Sequence, residues 1–290
     1  MQQRTRPGRA WIITPALRPR QFETAQTSGA GVALVDLEDS VAPADKQAAR
    51  HAAQQFFDRP STPCTLGIRM NAPTTLEGAR DLIAMAAYPV RPDLVLVPKT
   101  ESARDIELVA GVLDAEGYTP DIWALIETPR AFDKLASITK APRLGGVVFG
   151  SADYAATVRC GLTWQALLYA RSALVNSAAA AGIPAIDAPA FDLNDLDALR
   201  REAEKAKEMG FYGKGAVHPR QAAVINDTFA PSEKEIARAR AIVAAGQKSG
   251  SGITSVDGHM VGTPFFTAAQ ALVRDVDSSS DRPGPTGESS

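Results

Sequence analysis

Glu127 stands near the end of the apolar run DIWALIET (121–128), and Asp153 closes the next one, GGVVFGSAD (145–153). Two carboxylates at the ends of successive strands are hard oxygen ligands facing one another. Mg²⁺ takes one or two such carboxylates and fills its octahedron with water or substrate oxygens. The same residues serve equally well as helix N-terminal carboxylates or ion-pair partners, so spacing alone leaves both roles open. VDLEDS gathers Asp36, Glu38 and Asp39 within four positions. Negative charge at that density has to be met by cations, donors or water. A helix start at Ser40 and Pro43 explains the cluster as capping, and the two readings coexist if Glu38 points inward while Asp39 finds a separate partner.

Cations end two neighbouring runs. Arg69 in LGIRMN (66–71) either clamps a carboxylate and meets charge developing on an oxygen, or forms a salt bridge with Glu38 or Asp39. Lys99 follows Pro98 in DLVLVPKT (93–100). An amine among carboxylates stays protonated, so an electrostatic or phosphate-facing role suits it better than a Schiff base. His51, His218 and His259 form no i, i+4 pair and have no cysteine at ligand spacing, which argues against zinc. No G-x-S-x-G elbow and no G-K-[ST] phosphate loop occurs.

These side chains need a scaffold that brings strand ends together. Eight short runs read as strands: 11–17, 31–40, 66–71, 93–100, 121–128, 145–153, 183–190 and 213–219. They are continuously apolar rather than alternating, as in parallel strands covered by helices. Helical stretches fall between them at 43–57, 76–87, 102–117, 131–138, 164–181 and 193–210. The series predicts a closed (β/α)₈ barrel, whose C-terminal strand ends form one mouth where Asp36, Glu38, Asp39, Arg69, Asn71, Lys99, Glu127, Asp153, Asp187 and His218 meet. A doubly wound open sheet is the alternative, but its G-x-G-x-x-G fingerprint is missing.

The barrel is expected over 1–230. A helical extension follows over 231–276, with helices at 231–247 and 265–276 around a Gly/Ser-rich loop, and then a disordered tail at 277–290. The extension lies beyond the eight units, so it is free to pack on a neighbouring subunit.

The chain has 290 residues with 31 Lys+Arg against 33 Asp+Glu, a net charge of −2 that gives no basic field for a nucleic acid. Two cysteines, Cys64 and Cys160, argue against a disulfide framework and fit a cytoplasmic home. The start, MQQRTRPGRAWIITPAL, reads as neither a signal peptide nor a membrane span.

Taken together, VDLEDSVAPADKQAAR, GIRMNAPTT, LVLVPKTES, LIETPRAF, VVFGSADYAA and AVHPRQ resemble the citrate lyase beta-subunit family of the HpcH/HpaI aldolase superfamily, from about residue 11 to 276. The resemblance implies a (β/α)₈ barrel and Mg²⁺-dependent cleavage or formation of a carbon–carbon bond between an acyl-CoA thioester and a 2-oxo acid. It also implies homo-oligomers, trimers or hexamers, with C-terminal helices at a neighbour. By motif, Glu127 and Asp153 match the metal ligands, Arg69 the substrate-binding arginine, and Glu38 and Asp39 the acidic pair beside the metal. Gly150, Ser151 and Ala152 match the segment whose amides hold the oxo-acid carboxylate.

Two positions depart from the family pattern. VDGHMVGTP has His259 and Gly262 where many relatives resemble D-G-K-M-[IV]-D-x-P, so the aspartate that serves as base in malate-synthase-like members is missing. Ala152 stands where relatives more often carry glutamate. The resemblance therefore points to cleavage of a citramalyl-, malyl- or citryl-CoA type substrate, with a water near Glu38 or Asp39 handling the proton. A CoA-independent aldolase of hydroxy-oxo-diacids and a non-catalytic CoA- or acyl-carrier-binding subunit are the competing classes. Lys99, Lys214 and Arg220 are candidates for the CoA rim. Tyr154, Phe191, Met260 and Phe265 are candidates for the specificity pocket.

Overall fold

Eight parallel strands close on themselves: β1 (Ala10–Pro15), β2 (Val32–Asp36), β3 (Thr65–Arg69), β4 (Leu94–Val97), β5 (Asp121–Ile126), β6 (Leu144–Phe149), β7 (Ala185–Asp187) and β8 (Gly213–Ala216). The structure is a computed structural model that describes residues 8–58, 64–248 and 252–280, with side chains to 277. β1 pairs with both β2 and β8, which excludes the open sheet. The chain divides into two compact units, one ending at Phe229 and one beginning at Ala230.

Strand parity separates two cores. Trp11, Val32, Leu34, Leu94, Leu96, Trp123, Leu125, Val148 and Ile186 fill the barrel interior, where the rings of Trp11 and Trp123 lie 4.5 Å apart. Gly146 explains how β6 tolerates them: a Cβ there would sit 2.3 Å from the Trp123 ring. The alternate residues, among them Ala33, Val35, Ile68, Val95, Val97, Val147 and Phe149, face the helices in the larger outer core. Most strands are thus apolar on both sides, which is why their runs read as continuous, while β3 and β8 add no side chain to the inner core and β8 buries Lys214 on its outer side.

The helices of the first unit are α1 (Phe22–Gln26), α2 (Lys46–Phe57), α3 (Leu76–Ala86), α4 (Ala103–Ala115), α5 (Pro129–Asp133), α6 (Leu135–Ile138), α7 (Ser151–Val158), α8 (Leu168–Ala181), α9 (Leu196–Met209) and α10 (Pro219–Phe229). Their starts follow local chemistry. Thr75 and Thr128 accept from the backbone of Gly78 and Ala131, and Ser102 with Asp105 forms a reciprocal capping box before α4.

Three details correct the sequence expectations. The stretch 131–138 is two short helices, because Lys134 leaves helical geometry with φ −120°. β6 ends at Phe149, and the chain turns at Gly150 into α7, so Asp153 lies on a helix rather than at a strand end. α10, beginning in the HPRQ segment, was not foreseen.

The second unit pairs α11 (Glu233–Lys248) with α12 (Thr263–Ser280) around Ala239, Ile242, Val261, Phe266 and Ala269. Gly246 admits the Phe266 ring, which a Cβ would meet at 2.7 Å. Between the helices, β9 (Thr254–Val256) and β10 (His259–Val261) form a hairpin where a loop was expected. Its turn, Asp257-Gly258, has φ +52° and +75°, the left-handed pair a tight hairpin requires. α12 continues through the first residues assigned to the tail, and the remainder of that tail, 281–290, lies outside the described residues, as do residues 1–7. Among the described residues, no helix is long and apolar enough to cross a membrane.

Candidate active site

Asp36 and Arg69 are register partners at the ends of β2 and β3, with opposite charges on the same side of the sheet. The guanidinium donates from Nε to Oδ1 at 2.6 Å and from Nη2 to Oδ2 at 2.8 Å. Asp36 also accepts the backbone N–H groups of Glu38 (2.9 Å) and Ser40 (3.1 Å), so this buried carboxylate serves four donors. Burial would raise its pKa, but the bonds and charge of Arg69 bring it below the usual aspartate range. Arg69 is held protonated in turn. The ion pairs of Arg69 with Glu38 and Asp39 that the sequence offered are present, but its bidentate partner is Asp36, which the family resemblance had not placed in the site. Matching the ends of adjacent strands would have found it.

This anchoring leaves Nη1 of Arg69 free to face the loop after β2. It lies 3.0 Å from Glu38 Oε2 and 3.8 Å from Asp39 Oδ2. The first contact is an ion pair without hydrogen-bond geometry, and Oε2 is buried with no hydrogen-bond partner. On the other side Lys99 Nζ donates to Glu38 Oε1 at 2.5 Å and approaches Asp39 Oδ1 at 3.5 Å. Burial pushes the Glu38 pKa up, and Arg69 and Lys99 offset this only in part. Glu38 is 4% exposed, whereas the Asp39 side chain is half exposed.

Lys99 contributes through its backbone as well. Its φ of +49° is left-handed, a conformation that costs an L residue about 1–2 kcal/mol. Its N–H donates to Glu127 Oε1 at 2.7 Å. Glu127 is 1% exposed. Burial, and then repulsion by Glu38 and Asp153, push its pKa up to about 8 despite that bond. Gly150 makes room for it, since a Cβ there would stand 2.4 Å from Glu127 Cβ and 2.6 Å from Oε2.

The amides of the Gly150-Ser151-Ala152 segment divide. Gly150 N–H is committed to Ile126 O at 2.9 Å, which corrects the expectation that it serves a ligand. The N–H groups of Ser151 and Ala152 are in the first turn of α7, where the helix itself supplies no acceptor. Asp153 follows in the same turn.

Asp187, expected at the mouth, is committed elsewhere. Asp187 and Lys214 are fully buried and bond to each other at 2.7 Å, with Arg171 and Glu202 completing a cluster between β7, β8 and the helices α8 and α9. Lys214 is therefore excluded from a CoA-facing rim. Asn71 turns back to Asp81 and Leu37 O, and His218 accepts from Arg220 N at the start of α10. Tyr154 packs its ring against Phe132 and Phe149. Phe191 is half exposed and lines a pocket shared with Ser151, Arg171 and Pro189, while Met260 and Phe265 are exposed.

Among the described residues, no three His, Cys, Asp or Glu side chains group as a metal site. Two carboxylates are nonetheless what Mg²⁺ uses when substrate and water supply the rest. Glu127 fits that role on physical grounds. It is a buried carboxyl whose ionised form is disfavoured by two neighbouring carboxylates, and a divalent cation would relieve that repulsion.

Barrels of this kind build their active sites from the loops after the strands. Oxygen ligands facing an anchored guanidinium suit an enzyme that makes or breaks a carbon–carbon bond beside a carboxylate. Comparison with known proteins narrows this class. Residues 9–219 match the HpcH/HpaI aldolase/citrate lyase family, and the chain belongs to it. It is similar to a citrate lyase subunit beta-like protein of Mycobacterium tuberculosis, at 34% identity over 92% of this chain and 95% of that one. A (3S)-malyl-CoA thioesterase of Cereibacter sphaeroides is 32% identical, covering 94% and 96%. Among solved structures, CitE from M. tuberculosis in complex with magnesium, acetoacetate and coenzyme A superposes with a TM-score of 0.78, at 34% identity over 93% and 98% of the chains.

Proposed function

We propose that the protein is a Mg²⁺-dependent carbon–carbon lyase that cleaves a 3-hydroxy-3-carboxyacyl-CoA, of citramalyl, malyl or citryl type, to an acyl-CoA and a 2-oxo acid. The observation that carries this reading is Glu127, a buried carboxyl destabilised by Glu38 and Asp153 at the mouth. In this reading Glu127 and Asp153 hold the metal. When bound, Mg²⁺ lowers the pKa of the substrate hydroxyl and polarises the oxo group that forms. The amides of Ser151 and Ala152 orient the substrate carboxylate at the N-terminus of α7. Glu38, with Asp39 and water, takes the hydroxyl proton. As the carbon–carbon bond breaks, its electron pair passes to the thioester enolate, and Nη1 of Arg69 stabilises that charge. The enolate carbon then takes up a proton to give the acyl-CoA.

The magnesium, acetoacetate and coenzyme A of the M. tuberculosis structure support these ligand classes. The two cysteines, neither in a disulfide, fit a cytoplasmic protein. The second unit, with its paired helices α11 and α12, fits a homo-oligomer of three or six chains, measurable by light scattering.

The C. sphaeroides relative favours one second reading, hydrolysis of the thioester. An assay with malyl-, citramalyl- and citryl-CoA, with Mg²⁺ or EDTA, separates the two. A lyase releases a 2-oxo acid and an acyl-CoA, whereas a thioesterase releases free CoA thiol and the hydroxy acid. Turnover of the free acids without a thioester identifies a CoA-independent aldolase. Silence throughout leaves an accessory binding subunit.

A further inference from the structure

The loop that carries Glu38 is held from behind by a side chain outside the mouth. Lys46, the first residue of α2, donates from Nζ to Leu37 O at 2.8 Å and to Glu38 O at 2.7 Å. These two carbonyls flank the Glu38 backbone. On the same peptide, Glu38 N–H is bonded to Asp36 Oδ1. The main chain of Glu38 is thus fixed on one side by the aspartate that anchors Arg69 and on the other by the ammonium of Lys46.

The clamp reaches further into the fold. Leu37 O also accepts from Asn71 Nδ2 at 3.0 Å, and Asn71 is bonded to the fully buried Asp81, which pairs with Arg50 of α2 at 2.9 Å. α2 and α3 therefore both bear on this one loop. Lys46 is not among the groups that dominate the proton affinity of the Glu38 carboxyl, which are Arg69, Lys99 and Asp39 besides burial. Its influence runs through the backbone.

We infer that Lys46 is a positioning residue for the lyase reaction proposed above, on which this inference rests: by gripping the carbonyls of Leu37 and Glu38 it sets the Glu38 carboxylate against Arg69 and Lys99. The same contacts explain why a lysine stands at the start of a helix, where the macrodipole disfavours a cation. Carbonyls of the preceding loop, not the helix, are its partners.

The test is Lys46→Met. Both carbonyls keep a second donor, Asn71 for Leu37 and the Val41 N–H for Glu38, so the variant should fold. A displacement of about 1 Å in a catalytic group costs up to about 100-fold, so kcat should fall by about 10- to 100-fold. KM for thioester and the activation constant for Mg²⁺ should stay within about threefold, and the pH profile should keep its shape. Lys46→Cys alkylated with 2-bromoethylamine rebuilds a lysine-like ammonium and should restore kcat to within about threefold of the wild-type protein treated alike. An unchanged kcat in Lys46→Met, a loss confined to KM, or no recovery on alkylation would overturn the inference.

If Lys46→Met fails to fold, the alkylated protein against its unalkylated parent decides the matter by the same kcat comparison. If the wild-type protein releases no oxo acid from any thioester, the lyase reading has failed. Crystal structures of wild type and Lys46→Met then test the clamp alone: the Glu38 carboxylate should move by about 1 Å from Arg69 and Lys99, and an unmoved carboxylate refutes it.

Discussion

Asp36 and Glu38 lie two residues apart, both buried and both facing Arg69, yet neutralising them should have opposite consequences for stability. Asp36 accepts from Arg69 Nε and Nη2 and from the N–H groups of Glu38 and Ser40. In Asp36→Asn one acceptor oxygen becomes an NH₂ that confronts donors, and the guanidinium loses its charge-matched partner. Breaking a buried pair in this way costs about 3–5 kcal/mol. At about 2–4 °C per kcal/mol for a unit of this size, the melting temperature should fall by roughly 6–20 °C at pH 7.

The folded pKa of Asp36 is depressed, so its contribution is present above the ordinary aspartate value of about 3.9 and is lost only as pH falls through the folded value. The penalty should therefore persist from pH 8 to pH 5. Glu38 has a raised pKa, so its contribution is full below its unfolded value and lost as pH rises through the folded one. Glu38→Gln removes a carboxyl whose ionised form the fold disfavours, and should leave stability at pH 7 unchanged or slightly higher. Activity should be lost in both variants. The assay is thermal unfolding of the metal-free proteins by calorimetry, beside the oxo-acid assay. A melting temperature for Asp36→Asn within about 2 °C of wild type, or Glu38→Gln as unstable as Asp36→Asn, would refute the account of this charge cluster.

Glu127 makes the metal-free protein pH-sensitive in the same sense as Glu38: with EDTA, thermal stability should decline from pH 5 to pH 8 as a group with a pKa of about 8 ionises, while Mg²⁺ should raise the melting temperature more at pH 8 than at pH 5. Glu127→Gln should flatten both trends, and a wild-type response independent of pH would contradict the assignment. Gly150→Ala places a Cβ against Glu127, so overpacking should cost about 1–3 kcal/mol and Mg²⁺ activation should weaken at least tenfold; unaltered metal activation would count against Glu127 as a ligand. Gly262→Asp should fold normally, because a Cβ there meets only Ile253 at 3.7 Å, and a large drop in melting temperature would show that glycine at this position is structural.

The barrel was legible because most strands are apolar on both faces, and that leaves an uninterrupted apolar run whichever neighbour packs against it. Which strand-end residues enter the mouth was less legible, since one residue of parity sends a side chain to the opposite side of the wall. Asp187 and Lys214 went outward into the cluster with Arg171 for that reason. Asp153 was misplaced onto a strand because the turn at Gly150 carries no polar signal of its own: its geometry answers to the Glu127 side chain, remote in sequence. The pairing of Asp36 with Arg69 follows from register between two strands and cannot be read from either alone. The hairpin at Asp257-Gly258 was readable, as D-G between short apolar segments is a turn signal, but the surrounding Gly/Ser composition masked it.

The most direct test of the central claim is release of 2-oxo acid from malyl-, citramalyl- and citryl-CoA by purified protein, with Mg²⁺ or EDTA and with Glu127→Ala as the control. The account predicts that at least one thioester yields oxo acid and acyl-CoA, that EDTA abolishes the release and that the folded Glu127→Ala protein lacks it. Free CoA thiol without oxo acid, or cleavage that survives both EDTA and Glu127→Ala, would contradict it.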